Sequence, residues 1–84
     1  MLRRSKLGVF YDILMIAKDG AKKTEIVYEG NLTFTRANQY LQILEDQNLI
    51  ERNGDRWVTT KKGLNFIKNF QRIKKHVPTN QDDE

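Results

Sequence analysis

Three observations in this 84-residue sequence predict a mainly helical α+β fold of the winged helix-turn-helix class. Hydrophobic periodicity and capping residues give the order helix, short strand, helix, turn, helix, two-stranded hairpin, helix, which is the order of a winged helix. The third helix carries a polar, amide-rich face opposite its apolar one. Cationic side chains gather in the first few residues and in the last third of the chain.

Each element has a local cause. Ser5 predicts the cap of a first helix over about 6–18, where Leu7, Phe10, Leu14 and Ala17 recur at three or four, and Gly20 after Asp19 supplies its stop. A second stripe, Val9, Ile13 and Ile16, makes about half of its circumference apolar, so two surfaces of this helix require burial. Thr24 predicts the cap of a short second helix from Glu25 to about Glu29, preceded by Ala21, Lys22 and Lys23 as a brief strand and broken by Gly30 and Asn31. Thr33 caps a third helix over about 34–47, with Phe34, Ala37, Leu41 and Leu44 on one face and Asn48 as a left-handed stop. At about 100° per residue, Thr35, Gln39, Gln42 and Asp46 fall opposite, flanked by Arg36 and Asn38.

Residues 49–52 and 56–59 suit short strands, and Asn53, Gly54 and Asp55 form the tight turn of a hairpin. Thr60 caps a last helix that runs to about His76, before Pro78 ends regular structure. On that helix Leu64 and Ile67 point one way. Phe66, Phe70, Ile73 and Val77 follow a four, three, four spacing that reads as a dimerising coiled-coil seam, or else Phe66 and Phe70 fold back onto the second stripe of the first helix. The expected organisation is a winged-helix domain over 1–60, a dimerisation helix over 61–77 and a disordered acidic tail over 78–84.

Composition narrows the function. The chain is one small domain, and an apolar fraction of 38% predicts a small core that favours an oligomer. There is no cysteine, and the single histidine, His76, has no carboxylate near it in sequence, so metal and redox chemistry are not expected. The longest apolar run, Ile13 to Ala17, is far short of a membrane span, and no signal peptide is read; the expected location is cytoplasmic, on the nucleoid. No convergent acid and base, no oriented nucleophile and no glycine-rich phosphate loop is visible, so neither an enzyme nor a cofactor is expected. The formal charge is +4, with Arg3, Arg4 and Lys6 at the start, and Lys61, Lys62, Lys68, Arg72, Lys74 and Lys75 within an acid-free stretch. A polyanion fits this surface, nucleic acid ahead of a membrane, and a merely solvated surface is the alternative.

The stretches Arg4 to Leu7, Gly20-Ala21-Lys22-Lys23-Thr24, Tyr28, Asn31-Leu32-Thr33-Phe34, Tyr40-Leu41, Asn48-Leu49-Ile50-Glu51 and Thr60-Lys61-Lys62-Gly63 resemble a family of small archaeal winged-helix proteins. The resemblance spans about residues 3–77. It implies a winged-helix domain joined to a C-terminal helix through which two chains form an antiparallel coiled coil, and members that bind DNA as chromatin components or predicted transcriptional regulators.

In that order of elements the third helix is the one expected in the major groove, with Thr33, Thr35, Arg36, Gln39 and Gln42 towards the bases. Arg36 matches the two acceptors of guanine and Gln39 or Gln42 those of adenine, whereas the bland alternative is an ordinary solvent-facing surface. Residues 24–51 hold Arg36 as their one cation and a local charge of −4. Phosphate grip is therefore expected from Arg3, Arg4, Lys22, Lys23, Arg52 and Arg56, with Lys61 and Lys62 in support. Arg52 and Arg56 either straddle a minor groove or pair with Glu51 and Asp55. Trp57 is expected in the core, Tyr11, Tyr28 and Tyr40 as packing residues with wet hydroxyls, and Ile43 as an exposed residue that either marks a protein contact or is one of the scattered apolar residues of an ordinary surface. The expected function is a homodimeric DNA-binding transcriptional regulator; an architectural protein of little sequence preference and a winged helix used only as a protein-interaction module are the alternatives.

Overall fold

In the computed structural model, which describes residues 5–76, the chain runs α1 (Lys6–Ile16), α2 (Lys23–Gly30), α3 (Phe34–Asp46), β1 (Ile50–Asn53), β2 (Arg56–Thr59) and α4 (Lys61–His76). Arg3, Arg4, Val77 and the expected tail over 78–84 lie outside the described residues. Three of the predicted caps are made: Ser5 Oγ accepts from Gly8 N–H, Thr33 Oγ1 from Arg36 N–H and Thr60 Oγ1 from Gly63 N–H, each at 3.0 Å. The cap of α2 differs from the expectation. The helix begins at Lys23, and the Glu25 carboxylate, not Thr24, takes the free Lys22 N–H at 2.8 Å. Asn31 and Asn48 adopt positive φ, 56° and 62°, just past the ends of α2 and α3, and Gly20 at φ 98° turns the chain out of α1.

Helix α1 is the spine, because residues of both its apolar stripes are covered: Val9, Phe10, Ile13, Leu14 and Ala17 are buried with Ile26, Ala37, Leu41, Leu44, Ile50, Trp57 and Ile67. Each fully buried Ile or Leu among them removes enough apolar surface from water to be worth about 1.5–3 kcal/mol. Tyr40 meets the edge of Phe10 at 5.5 Å.

Five apolar or aromatic residues sit differently from the helical count. Phe34, placed on the core face by periodicity, is 53% exposed, because the first turn of α3 projects past the core that begins at Ala37. Leu7 and Leu64, in the first turns of α1 and α4, are exposed likewise. Ile43 is not a surface residue: it packs, partly buried, against the core on the flank of α3 that also carries Tyr40. Tyr28 is no packing residue at all, 88% exposed and about 200° round α2 from buried Ile26.

The hairpin pairs Ile50 with Thr59, Glu51 with Val58, Arg52 with Trp57 and Asn53 with Arg56, so β1 starts one residue later than the sequence suggests. The expected brief strand over 21–23 is a single bridging residue. Ala21 N–H donates to Trp57 O at 2.9 Å, and Trp57 N–H returns to Ala21 O at 2.7 Å. Thr59 extends the seam, its N–H to Ala17 O at 3.1 Å and its buried hydroxyl to Leu14 O at 2.6 Å.

Helix α4 leaves the hairpin at Thr60, whose N–H bonds Leu49 O and whose hydroxyl donates to Asn48 O at 2.7 Å. Along α4, Phe66 packs against the core, and the Phe70 ring stacks on Tyr11 at 4.8 Å, with Gln71 Nε2 donating to the Tyr11 hydroxyl at 2.9 Å. Two residues of the expected seam thus pack within their own chain, Phe66 against the core and Phe70 on Tyr11 of α1. Both remain only half-buried, and Ile73 is 61% exposed.

Gly63 is where α4 crosses the hairpin, and a Cβ there would overlap the Leu49 carbonyl oxygen and Thr59 Cγ2. Gly63→Ala should therefore destabilise the fold by about 1–3 kcal/mol, the usual effect of overpacking, read as a lowered urea midpoint at unchanged slope.

Candidate nucleic-acid interface

The helix-turn-helix consists of α2, the turn over 31–33 and α3. Its turn is set by Asn31 in the left-handed region and by Thr33, whose hydroxyl is committed to the cap of α3. With Ala37, Leu41 and Leu44 locked into the core, α3 has one way to lie, and Thr35, Arg36, Asn38, Gln39 and Gln42 are all exposed. The structure therefore brings Thr35, Arg36, Gln39 and Gln42 onto one open surface that begins at the capped first turn. No ion pair among the described residues involves Arg36. Gln42 is less free: its Nε2 donates to Asp46 Oδ1 at 3.1 Å, one turn on along the helix.

The wing cations are positioned by strand register. Arg52 stands opposite Trp57 and lays its guanidinium over the indole ring, 4.6 Å from the centroid. Arg56 lies at the end of β2 that runs beside Ala21, and it turns to the start of α2, its Nη1 3.8 Å from Glu25 Oε1. Asp55 reaches the same place, its Oδ2 4.0 Å from Lys22 Nζ. These contacts replace the pairing with Glu51 and Asp55 that neighbouring positions suggested for the two arginines. Lys22 is exposed and Lys23 half-buried, and Lys61 and Lys62 are exposed at the start of α4. Lys22 and Arg56 are thus brought together where the wing meets the start of α2, while Arg52 lies on the Trp57 face of the hairpin, and none of the three is on the open face of α3.

Sequence reasoning missed Glu25 as a member of this group and gave Asp55 the wing arginines as partners in place of Lys22. The signal was present in part: a Glu three residues past Lys22 is capping-box spacing, but the cross-contact to the wing needs the Ala21–Trp57 bridge, which no local pattern announces.

A helix-turn-helix whose second helix is open along a polar face and is followed by a two-stranded wing defines a winged helix-turn-helix protein. The family model described as winged helix-turn-helix matches residues 3–77, and the chain belongs to that family. It is 32% identical over 62 residues to an uncharacterized protein of the archaeon Methanocaldococcus jannaschii, a match that covers 73% of this chain and spans 64% of that protein's length. Its fold is similar to the crystal structure of Sso10a-2, a DNA-binding protein from Sulfolobus solfataricus, with a TM-score of 0.75 at 22% identity over 86% of this chain and 80% of that one. No helix among the described residues is long and apolar enough to cross a membrane.

Thr33 and Arg36 are adjacent in role but distinct in energetics. Thr33→Ala should cost about 1 kcal/mol of stability through the lost cap, whereas Arg36→Ala should stay within about 0.5 kcal/mol of wild type; chemical denaturation of both variants checks the contrast.

Proposed function

We propose that this protein binds duplex DNA as a homodimer and regulates transcription by occupying its site, with α3 in the major groove and the wing on the backbone. The observation that carries this reading is the open face of α3, Thr35, Arg36, Gln39 and Gln42, set opposite a face that the core holds rigid. A helix docked by its capped N-terminal half presents such residues to base edges. Arg36 has the fork that guanine O6 and N7 accept, Gln39 the donor and acceptor that adenine needs, and Thr33 and Thr35 suit phosphate or a thymine methyl. Lys22, Lys23, Arg52 and Arg56, with Arg3 and Arg4 from the chain start, supply the phosphate contacts that fix register. The description of Sso10a-2 as a DNA-binding protein supports the same reading.

The dimer rests on the α1–α4 ridge. Phe66, Phe70 and Tyr11 are half-buried; Leu7 precedes Tyr11 by one turn, Ile73 follows Phe70 by one turn, and both are exposed. A second copy would cover this row, with Val77 next in the same spacing. In this reading residues 1–60 form the DNA-binding unit, residues 61–77 the dimerising helix, and the protein resides on the nucleoid.

One observation favours an architectural role instead. Arg36 is the one cation in residues 24–51, a segment of charge −4, so affinity would come mainly from cations outside the reading helix, as in proteins that hold DNA with little sequence preference.

Two experiments test these readings. In a fluorescence-anisotropy titration of duplex DNA at two salt concentrations, wild type should bind and weaken steeply with salt. Arg36→Ala should lose site preference, and the Arg52→Ala/Arg56→Ala variant should lose affinity evenly across sequences. Absence of binding at low salt would refute the DNA reading. In sedimentation equilibrium the wild type should be dimeric and Ile73→Glu shifted to monomer; an unchanged mass would refute the α4 interface.

A further inference from the structure

The wing and the start of α2 are joined by two ion pairs in which each element supplies one cation and one carboxylate. Lys22 Nζ lies 4.0 Å from Asp55 Oδ2, and Arg56 Nη1 lies 3.8 Å from Glu25 Oε1. All four side chains stay open to water: Glu25, Arg56 and Lys22 are about half exposed and Asp55 is 77% exposed. Pairs this open contribute little to stability. The wing is in any case held by the two backbone hydrogen bonds between Ala21 and Trp57. The carboxylates are therefore not required to hold the wing in place; beyond the cap that Glu25 Oε1 gives α2, what they hold is two cations, Lys22 beside the wing and Arg56 on it.

We propose that Glu25 and Asp55 limit the affinity of this protein for DNA by occupying, in the free protein, the positions that backbone phosphates take at Lys22 and Arg56. This rests on the DNA-binding reading above and names the residues that attenuate it. Binding is then an exchange of carboxylate for phosphate. A guanidinium donates its fork of N–H groups to a carboxylate or a phosphate alike, and a half-exposed pair at about 4 Å opens easily. Once displaced, Glu25 and Asp55 stand beside the duplex as like charges, so each phosphate contact at this place carries an opposing repulsion. Random DNA, which offers phosphates alone, is penalised most in proportion to what it offers. A cognate site that also satisfies α3 bears the same penalty and overcomes it, so the ion pairs set how tightly any duplex is held and the difference between cognate and random sites is left to α3.

The test uses the full chain. In Glu25→Gln/Asp55→Asn, Gln still accepts the Lys22 N–H and Asn suits a turn, so the fold is retained, as circular dichroism and thermal denaturation will verify. Binding to a random-sequence duplex is measured by anisotropy at two salt concentrations for five proteins: wild type, this variant, Lys22→Gln/Arg56→Gln, the combination of all four substitutions, and Glu29→Gln/Glu51→Gln. The last removes two other carboxylates from the same two elements, α2 and the hairpin. The expected result is roughly threefold to tenfold tighter binding by Glu25→Gln/Asp55→Asn, the size of one or two additional phosphate contacts, with a steeper salt dependence. The gain should vanish when Lys22 and Arg56 are also replaced, and Glu29→Gln/Glu51→Gln should not reproduce it. A gain that persists without Lys22 and Arg56, an equal gain in the Glu29→Gln/Glu51→Gln protein, or no gain overturns the exchange while leaving DNA binding intact. Failure of wild type to bind overturns both.

Discussion

Strand β2 uses its backbone groups on both edges, and the placement of every other element follows from this. One edge pairs with β1. The other bonds Trp57 to Ala21 and Thr59 to Ala17, and the Thr59 hydroxyl adds a buried bond to Leu14 O. The wing, the end of α1 and the start of α2 are thereby one rigid joint, and α3 inherits its direction from α2 through a turn of three residues. A slip of one residue in this register would turn Trp57 and Thr59 out of the core and Arg56 into it. The positions of Lys22 and Arg56 are therefore consequences of core packing rather than of the charges themselves.

A second joint ties α3 to α4. The Thr60 hydroxyl donates to Asn48 O just past α3 and accepts from Gly63 N–H in the first turn of α4. Asn48 reaches that place because it adopts positive φ, and α4 comes close enough only because residue 63 has no Cβ. Any partner that grips α4 in the proposed dimer would thus fix the direction of α3 through two hydrogen bonds and a short stretch of backbone. The spacing of two reading helices on a duplex would be set by the angle at which α4 leaves Thr60.

The order and type of the elements were legible because their causes are local. Ser5, Thr33 and Thr60 announce their helices, Gly20 and Asn48 their stops, and Asn53-Gly54-Asp55 the hairpin. Errors arose where a local rule met a finite helix or a distant partner. Periodicity places Phe34 and Leu7 on core faces but says nothing of where the core ends, and both lie a turn beyond it. The polar face of Arg36, Gln39 and Gln42 was readable from the same periodicity that defined Ala37, Leu41 and Leu44. The contacts of Arg52 and Arg56 were not, since the nearest acids in sequence, Glu51 and Asp55, are not the groups that strand register and the Ala21–Trp57 bridge bring to them.

The distribution of charge then bears on how the surface works. The open face of α3 offers amides, hydroxyls and Arg36, while the adjoining segment is net acidic. Neutral donors and acceptors gain little from the phosphate field and discriminate by whether each finds its match, so a mismatched base leaves them unpaired at a cost of about 1–3 kcal/mol. Cations on the wing and at the start of α2 respond to any phosphate, and unrestrained they would add equally to right and wrong sites. Under the proposed exchange, Arg56 and Lys22, held against Glu25 and Asp55, would contribute less to both, and a larger share of the binding energy would fall to α3. Because such restraint would lower cognate and random binding alike, it would leave their difference to Arg36 and Gln39 and act instead on occupancy: at a given concentration random sites would release the protein while a site matched by α3 would retain it.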